Sequence, residues 1–293
     1  MDLPALANLD YQAACFTRAA ASGHAPMLHG VLPPSNDLPR GALLVEEIVG
    51  RPARLPQDLP AIVDALAAMH SLPLPESAQR APLLDPIDPL ALLRGEIEAQ
   101  AGFLDAAALD ASVRRAIDDR RASLAALCAG ASRPQKRLIA FDAHPGNFIV
   151  RADGTAVLVD LEKARYSLPP LDLAHATLYT STTWDIASAA ALSHGEVVAA
   201  QQRWLTQCAG GDAWSGWLAP LRSAMWLWSV SWCAKWRVLS ASAARAGGDG
   251  EDWSGEHSEA ALVEHVRDRV DHYLSVQGVQ RVLDELAALA GAA

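Results

Sequence analysis

The stretch that most constrains the fold is a polar turn set between apolar runs, "LIAFDAHPGNFIV" at residues 138–150. It places Asp142 and Asn147 on either side of a Pro-Gly turn. A further apolar run, "TAVLVD", ends at Asp160, and the connecting "RADG" contains an Asp-Gly pair, which is a strong signal for a hairpin turn. The sequence therefore predicts a hairpin that brings these three polar side chains towards one point.

Three oxygen-bearing side chains at one point suit Mg²⁺, which prefers hard oxygen ligands and keeps waters and substrate phosphates in its shell. A phosphoryl-transfer site also needs a carboxylate that accepts the proton of the attacking hydroxyl. Asp142 fits that role, with Asn147 and Asp160 left to hold the metal. The alternative is an Asp-rich hairpin whose side chains only cap the backbone of its turns, and spacing alone leaves both open.

Composition limits the remaining classes of function. The chain has 293 residues, of which 51% are hydrophobic, so it can bury a sizeable core in one large or two smaller domains. A formal net charge of −10 opposes extended contact with a phosphate backbone, so no nucleic-acid partner is expected. Four scattered cysteines predict reduced thiols and a cytoplasmic location. No uncharged apolar run reaches the roughly 18 residues of a spanning helix, so no membrane partner is expected.

Apolar spacing predicts a small α/β start followed by mostly helix. Ser22 and Gly23 are expected to end a first helix, and Ile62, Leu66 and Met69 share one face of a later helix. Four tryptophans between residues 226 and 236 fit either a core helix, which we favour, or an aromatic cage for a quaternary ammonium group. The predicted segments are a helix over 9–21, strands over 25–34 and 41–50, helices over 59–75, within 80–135 and beyond 170, and a surface loop over 245–257.

Several of these stretches together resemble a known family. "FDAHPGNFIV" followed by "VLVDLEKARYSLPPLDLAH" resembles the aminoglycoside phosphotransferase and choline kinase group, in which H-G-D-x-H-P-G-N precedes a strand ending in D-x-E and then D-L-A. The stretches "ALLVEEIVGRP" and "ALAAMHSLP" resemble the interlobe hinge and the following helix of that group. The resemblance covers roughly residues 10–180.

The resemblance implies an α+β, protein-kinase-like fold of two lobes, with a reduced N-terminal sheet and a mainly helical C-terminal lobe. The N-terminal lobe and hinge would occupy residues 1–49, and the C-terminal lobe with the catalytic hairpin would occupy residues 50–293. It also implies ATP and Mg²⁺ as cofactors and a small-molecule hydroxyl as acceptor. The residues implied are Asp142 as catalytic base, Asn147 and Asp160 as Mg²⁺ ligands, and the backbone of Glu46, Glu47 and Ile48 as the adenine contact.

The sequence departs from the family pattern at two places. Ala140 and Phe141 replace the leading His and Gly of the motif, and Phe141 is expected to support the turn by packing. The three lysines of the chain all follow residue 135, so the phosphate-anchoring lysine of the small lobe is absent, and Gln12 aligns with its glutamate partner. Arg18 is a possible substitute with a different geometry.

These departures leave two interpretations of the chain. Either it is a truncated form of a longer protein, or it is a divergent member whose small lobe keeps two strands. A two-stranded sheet is marginal by itself, so we expect its edge to be covered by a helix, a partner subunit or a second copy. The rival to a kinase is a catalytically impaired protein that binds nucleotide or serves as a scaffold. By the same resemblance, Glu162 matches the acidic residue that often follows the metal-binding Asp, and it is given no role here.

Overall fold

The computed structural model describes residues 3–186, 188–241 and 260–290. Within these residues the chain is a mixed α+β protein, which confirms the predicted class. Its helices are α1 (Ala5–Ala20), α2 (Leu59–His70), α3 (Pro89–Ala101), α4 (Ala111–Ala129), α5 (Pro170–Thr177), α6 (Tyr179–Thr182), α7 (His194–Gln207), α8 (Leu218–Ala241), α9 (Ala260–Tyr273) and α10 (Val276–Ala290). Its strands are β1 (Leu28–Leu32), β2 (Ala42–Val45), β3 (Arg51–Pro52), β4 (Arg137–Ile139), β5 (Phe148–Val150), β6 (Ala156–Leu158) and β7 (Arg165–Ser167).

The chain divides into two compact units. One unit holds residues 90–131 and the helical segments from residue 223 onward. In it, Ser231 of α8 donates a hydrogen bond of 2.6 Å to Gln100 of α3, and Arg237 pairs with Asp271 of α9 at 2.8 Å. Trp226 of α8 is fully buried, which fits the core helix that the tryptophan spacing favoured. The predicted loop over 245–257 lies outside the described residues.

The other unit holds residues 3–89 and 132–222, and it contains every residue of the candidate site. Its strands form three small antiparallel sheets, in the orders β1-β2, β3-β5-β6 and β4-β7. The apolar face predicted for α2 is buried in the core of this unit, where Ile62, Leu66 and Met69 are each at most 2% exposed. The lobe boundary at residue 49 stays a prediction.

The N-terminal segment follows the predicted order of one helix and two strands, with corrections of length, because α1 begins at Ala5 and β1 covers only Leu28–Leu32. Helix α1 ends before Ser22, and Gly23 has a φ of +75°, as expected for a glycine that ends a helix. The strand predicted over 41–50 is shorter and ends at Val45. It ends there because the chain leaves β1 and approaches β5. The approach is close at Gly50, where an added Cβ would lie 2.6 Å from atoms of Ile149 and Val150. The register of β3 with β5 begins at the next residue.

The predicted hairpin is present. Strands β5 and β6 pair with Phe148 opposite Leu158 and Val150 opposite Ala156, and Gly154 of the turn has a φ of +86°. The apolar run before it behaves differently, because β4 pairs with β7, with Leu138 opposite Tyr166. The polar turn between β4 and β5 therefore separates two sheets.

The predicted reduced thiols have a structural counterpart. The four cysteines are free thiols, and three of them, Cys15, Cys208 and Cys233, are buried. No helix among the described residues combines the length and the apolar character needed to cross a bilayer.

Candidate active site

The hairpin brings the three predicted polar residues together. Asn147 ends a 3₁₀ turn over Pro145–Asn147, and its side-chain amide donates to the Asp142 carbonyl at 2.9 Å. The Asn147 carbonyl accepts from the Val159 N–H at 3.0 Å, which sets Asn147 beside the strand end that carries Asp160. One side chain thus ties the loop of Asp142 to the neighbourhood of Asp160.

The Asp142 carboxylate has cationic and imidazole neighbours. Its Oδ2 lies 2.9 Å from Lys163 Nζ, and its Oδ1 lies 3.8 Å from His175 Nδ1. Burial by itself would raise the pKa of Asp142, but the charges of Lys163 and of the two nearby histidines outweigh it and lower the pKa to about 2. Asp142 is therefore ionised at neutral pH.

Asp160 shows the opposite shift. Burial raises its pKa, and the negative charge of Asp142 raises it further. Two carboxylates in one partly buried site repel each other, and a divalent cation would relieve that repulsion. The electrostatics of this pair therefore fit a metal site.

His175 of α5 is held in its uncharged form. Its burial lowers its pKa to about 4, although the charge of Asp142 acts in the opposite direction. Its Nδ1 is buried and has no hydrogen-bond partner among the described residues. At neutral pH His175 therefore adds no positive charge beside Asp142.

Asp172 of α5 braces the loop that carries Asp142. Its Oδ2 accepts from the Ala140 N–H at 2.7 Å and its Oδ1 from the Phe141 N–H at 2.8 Å. His70 Nε2 lies 3.1 Å from Oδ2, and the Trp204 indole N–H donates to His70 Nδ1 at 3.0 Å. Because Nδ1 accepts, the ring proton lies on Nε2 and points to Asp172.

Phe141 adopts a conformation that is unusual for its residue type. Its φ is +65°, in the left-handed region, and the residue is 2% exposed. The Arg165 guanidinium lies over the ring, with its central carbon 3.8 Å from the ring centroid. Phe141 thus packs in support of the turn, as its position in the motif suggested. His144 supports it too, because its Nδ1 accepts from the Gly146 N–H at 3.2 Å.

The sequence profile of the phosphotransferase enzyme family matches residues 3–207. This chain belongs to that family. The resemblance carried by the hairpin motif is thereby confirmed. No curated protein matches the chain.

Solved structures place this phosphotransferase-family chain among proteins of the kinase-like fold. One is a choline/ethanolamine kinase family protein from Mesorhizobium loti, with 14% identity and a TM-score of 0.56 over 94% of this chain and 82% of that one. Another is a thermostable mutant of the aminoglycoside phosphotransferase APH(4)-Ia, with 12% identity and a TM-score of 0.54 over 94% and 84%. The amicoumacin kinase hAmiN, in complex with AMP-PNP, Ca²⁺ and Ami, matches with 13% identity and a TM-score of 0.50 over 92% and 78%. The predicted protein-kinase-like fold is therefore confirmed.

In the segment that resembles the family's hinge, Glu46 already makes contacts within the protein through its backbone and its side chain. The Glu46 N–H donates to the Met27 carbonyl at 2.8 Å, and its side chain pairs with Arg151 at 2.6 Å. Glu47 is exposed and Ile48 is half-buried. The structure thus fixes Glu46 beside β1, and the adenine contact of Glu46, Glu47 and Ile48 stays a prediction.

Arg18 was a candidate for the missing small-lobe lysine. Its guanidinium instead binds the Tyr166 hydroxyl and the carbonyls of Gln79 and Ala81. The Arg18 guanidinium is therefore used in hydrogen bonds within the protein.

Sequence reasoning missed three residues of the site. Lys163 and His175 lie beside the Asp142 carboxylate, and Asp172 binds the loop that carries it. The D-L-A signature pointed to Asp172, but its role depends on contacts with a distant loop.

A divalent metal fits the residues present, with help from the nucleotide. Among the described residues, no three His, Cys, Asp or Glu side chains converge as a complete metal site. Asn147 uses its amide N–H on Asp142, which leaves its amide oxygen for a cation, and Asp160 contributes a carboxylate. Mg²⁺ in phosphoryl-transfer sites is commonly held by one or two protein oxygens, with phosphates and water completing the shell.

Proposed function

We propose that this chain transfers the γ-phosphoryl group of ATP to a hydroxyl of a small molecule. Its family and its structural neighbours support a small-molecule phosphotransferase of the kinase type. The observation that carries the proposal is the hairpin itself, which unites Asp142, Asn147 and Asp160 at one end. A hairpin that only capped its own turns would have no need to place two partly buried carboxylates together.

Each residue has a task in this reaction. Asp142 hydrogen-bonds the acceptor hydroxyl, orients it towards phosphorus and takes its proton. Asn147 and Asp160 would hold Mg²⁺, which when bound neutralises charge on the nucleotide phosphates. Asp172 keeps Asp142 in place by fixing the two preceding backbone N–H groups. The backbone of Glu46, Glu47 and Ile48 is proposed to meet the adenine.

The cofactor proposal draws on the amicoumacin kinase structure, which contains the ATP analogue AMP-PNP and Ca²⁺. That protein supports ATP with a divalent metal here. We propose Mg²⁺ because a carboxylate and an amide oxygen are hard ligands that leave room for phosphate oxygens and water. The acceptor class, a cytoplasmic location and a partner or second copy over the small-lobe edge remain proposals from the sequence.

A catalytically impaired, nucleotide-binding protein is the second candidate. It is favoured by the ion pair between Lys163 and Asp142, which occupies the base, and by the lack of any lysine in the first 135 residues. Binding without transfer would distinguish it from a kinase. A scaffold would bind no nucleotide.

The first test is calorimetry of ATP binding with and without Mg²⁺, followed by a phosphoryl-transfer screen over amino sugars, aminoalcohols and other small alcohols. We expect Mg²⁺-dependent binding that Asp160→Ala abolishes. Asp142→Asn should retain ATP binding but reduce transfer by at least ~10²-fold, because the general base is lost. Asp153→Asn, an exposed Asp in the turn at the other end of the hairpin, is the matched control and should behave as the wild type. Unchanged transfer in Asp142→Asn would rule out the assignment.

A further inference from the structure

A lysine that could bind the nucleotide phosphates has few possible positions in this chain. The chain has three lysines, Lys136, Lys163 and Lys235. The Lys136 ammonium group pairs with the Asp85 carboxylate and donates a hydrogen bond to the Pro86 carbonyl at 2.9 Å. Lys235 belongs to the other compact unit. Lys163 contacts the candidate active site through its ion pair with Asp142.

Lys163 is positioned by the same hairpin that forms the site. It follows Asp160 by three residues, in the segment between β6 and β7, and its Nζ lies 2.9 Å from Asp142 Oδ2. The side chains of Lys163 and Asp142 keep 23% and 19% of their area exposed. The ion pair is therefore held by the fold yet open to an incoming phosphate.

The geometry of phosphoryl transfer puts the γ-phosphate close to this lysine. An acceptor hydroxyl lies about 2.6–3.2 Å from its general base and about 3–3.5 Å from the phosphorus that it attacks. The phosphorus is then roughly 6 Å from the Asp142 carboxylate, in the region that Lys163 borders. A four-carbon stem with a rotatable ammonium group can bridge this distance while keeping the contact with Asp142.

We propose that Lys163 is a further catalytic residue, which binds a γ-phosphoryl oxygen of ATP. This inference rests on the proposed kinase function. The acceptor oxygen forms a bond to the γ-phosphorus while the bond from phosphorus to the β,γ-bridging oxygen breaks. The acceptor proton passes to Asp142, and ADP leaves. Lys163 remains protonated throughout and stabilises the charge on the transferred group.

The test compares the affinities of Mg²⁺ with ATP and Mg²⁺ with ADP by calorimetry. A charged hydrogen bond contributes about 1.5–3 kcal/mol, so Lys163→Met should weaken ATP binding by at least ~10-fold. ADP binding should change by less than about threefold, because ADP lacks the γ-phosphate. Lys163→Arg retains the charge and should keep a preference for ATP over ADP. Lys136→Met is the matched control and should bind both nucleotides as the wild type does.

A second comparison separates phosphate binding from simple support of Asp142. In the Asp142→Asn background the ion pair no longer exists, so a lysine that only positions Asp142 would have no remaining task. We expect Lys163→Met to weaken ATP binding in that background as well. An effect that vanishes there would overturn the proposal and leave Lys163 as a positioning residue.

The outcomes distinguish this inference from the proposed function. If the wild type binds neither nucleotide, the kinase assignment and the role of Lys163 both fail. If the wild type binds ATP and Lys163→Met binds it equally well, the role of Lys163 alone is overturned. An equal loss of ATP and ADP affinity would also overturn it, because the γ-phosphate would not be the group that the lysine recognises.

Discussion

Phe141 shows how one residue can hold a strained turn in place. A side chain in the left-handed region costs about 1–2 kcal/mol, which a glycine at this motif position would avoid. Here the ring is buried and stacked beneath Arg165, and the backbone N–H is fixed by Asp172. Burial of an aromatic ring contributes more than the strain costs.

This balance can be measured with two truncations of the same ring. Phe141→Ala and Phe141→Gly both lose the buried ring and should each lower the free energy of unfolding by about 3–5 kcal/mol. Only glycine relieves the positive φ of +65°, so the Gly variant should be the more stable of the two by about 1 kcal/mol. Urea unfolding of both variants measures the difference.

Phe148 provides the matched control for this comparison. It is also fully buried, but its φ is −112° in strand β5. At that position glycine gains no relief from strain and loses backbone entropy, so Phe148→Gly should be less stable than Phe148→Ala by about 0.5–1 kcal/mol. The same order of stability at both positions would show that Phe141 stores no strain.

At the scale of elements, helix α5 braces the loop that carries Asp142. Asp172 receives two backbone N–H groups from the loop after β4, and α2 and α7 contribute His70 and Trp204 behind it. Three helices therefore contribute to the position of one loop. The chain Trp204, His70, Asp172 is fully buried, so each link is costly to leave unsatisfied.

The links of this chain should differ in cost. Asp172→Asn turns an amide N–H₂ towards a backbone N–H or His70, and we expect it to lower the free energy of unfolding by about 3 kcal/mol. Trp204→Phe removes only the outermost hydrogen bond and some packing, and it should cost about 1–2 kcal/mol. Chemical denaturation of both variants checks the order, and an Asp172→Asn variant as stable as Trp204→Phe would contradict the brace.

The elements also show where sequence reasoning succeeds. The β5-β6 hairpin is local: its Asp-Gly turn and its two apolar runs lie within one short segment, so the pattern predicts it fully. The pairing of Leu138 with Tyr166 and the contact of His70 with Asp172 join residues far apart in the chain. Apolar periodicity carries no information about such partners, which is why Lys163 and Asp172 were missed as members of the site.

At the scale of the whole molecule, buried titratable groups connect the site to the pH dependence of stability. Burial lowers the pKa of His175 to about 4 in the folded protein, whereas in the unfolded chain this histidine takes up its proton below about pH 6.5. Between these values the unfolded state binds more protons, and stability falls as the pH falls. Asp142 acts in a different range: its lowered pKa stabilises the folded state above about 3.8, and this contribution is lost as the pH falls towards about 2.

The two pH ranges lead to a prediction for His175→Gln. In the wild type, the free energy of unfolding should decrease by up to about 3 kcal/mol between pH 6.5 and pH 4, over and above the contribution of other groups. The variant cannot take up this proton, so its stability should depend less on pH in that range, while its loss of stability below pH 4 remains.

His194→Gln, which removes an exposed histidine at the start of α7, controls for the loss of one imidazole and should keep the wild-type slope. Urea unfolding at half-unit pH intervals measures the slopes. Equal slopes for the wild type and His175→Gln would mean that His175 accepts its proton in the folded protein as readily as in the unfolded chain. That result would contradict the conclusion that burial holds the His175 imidazole uncharged.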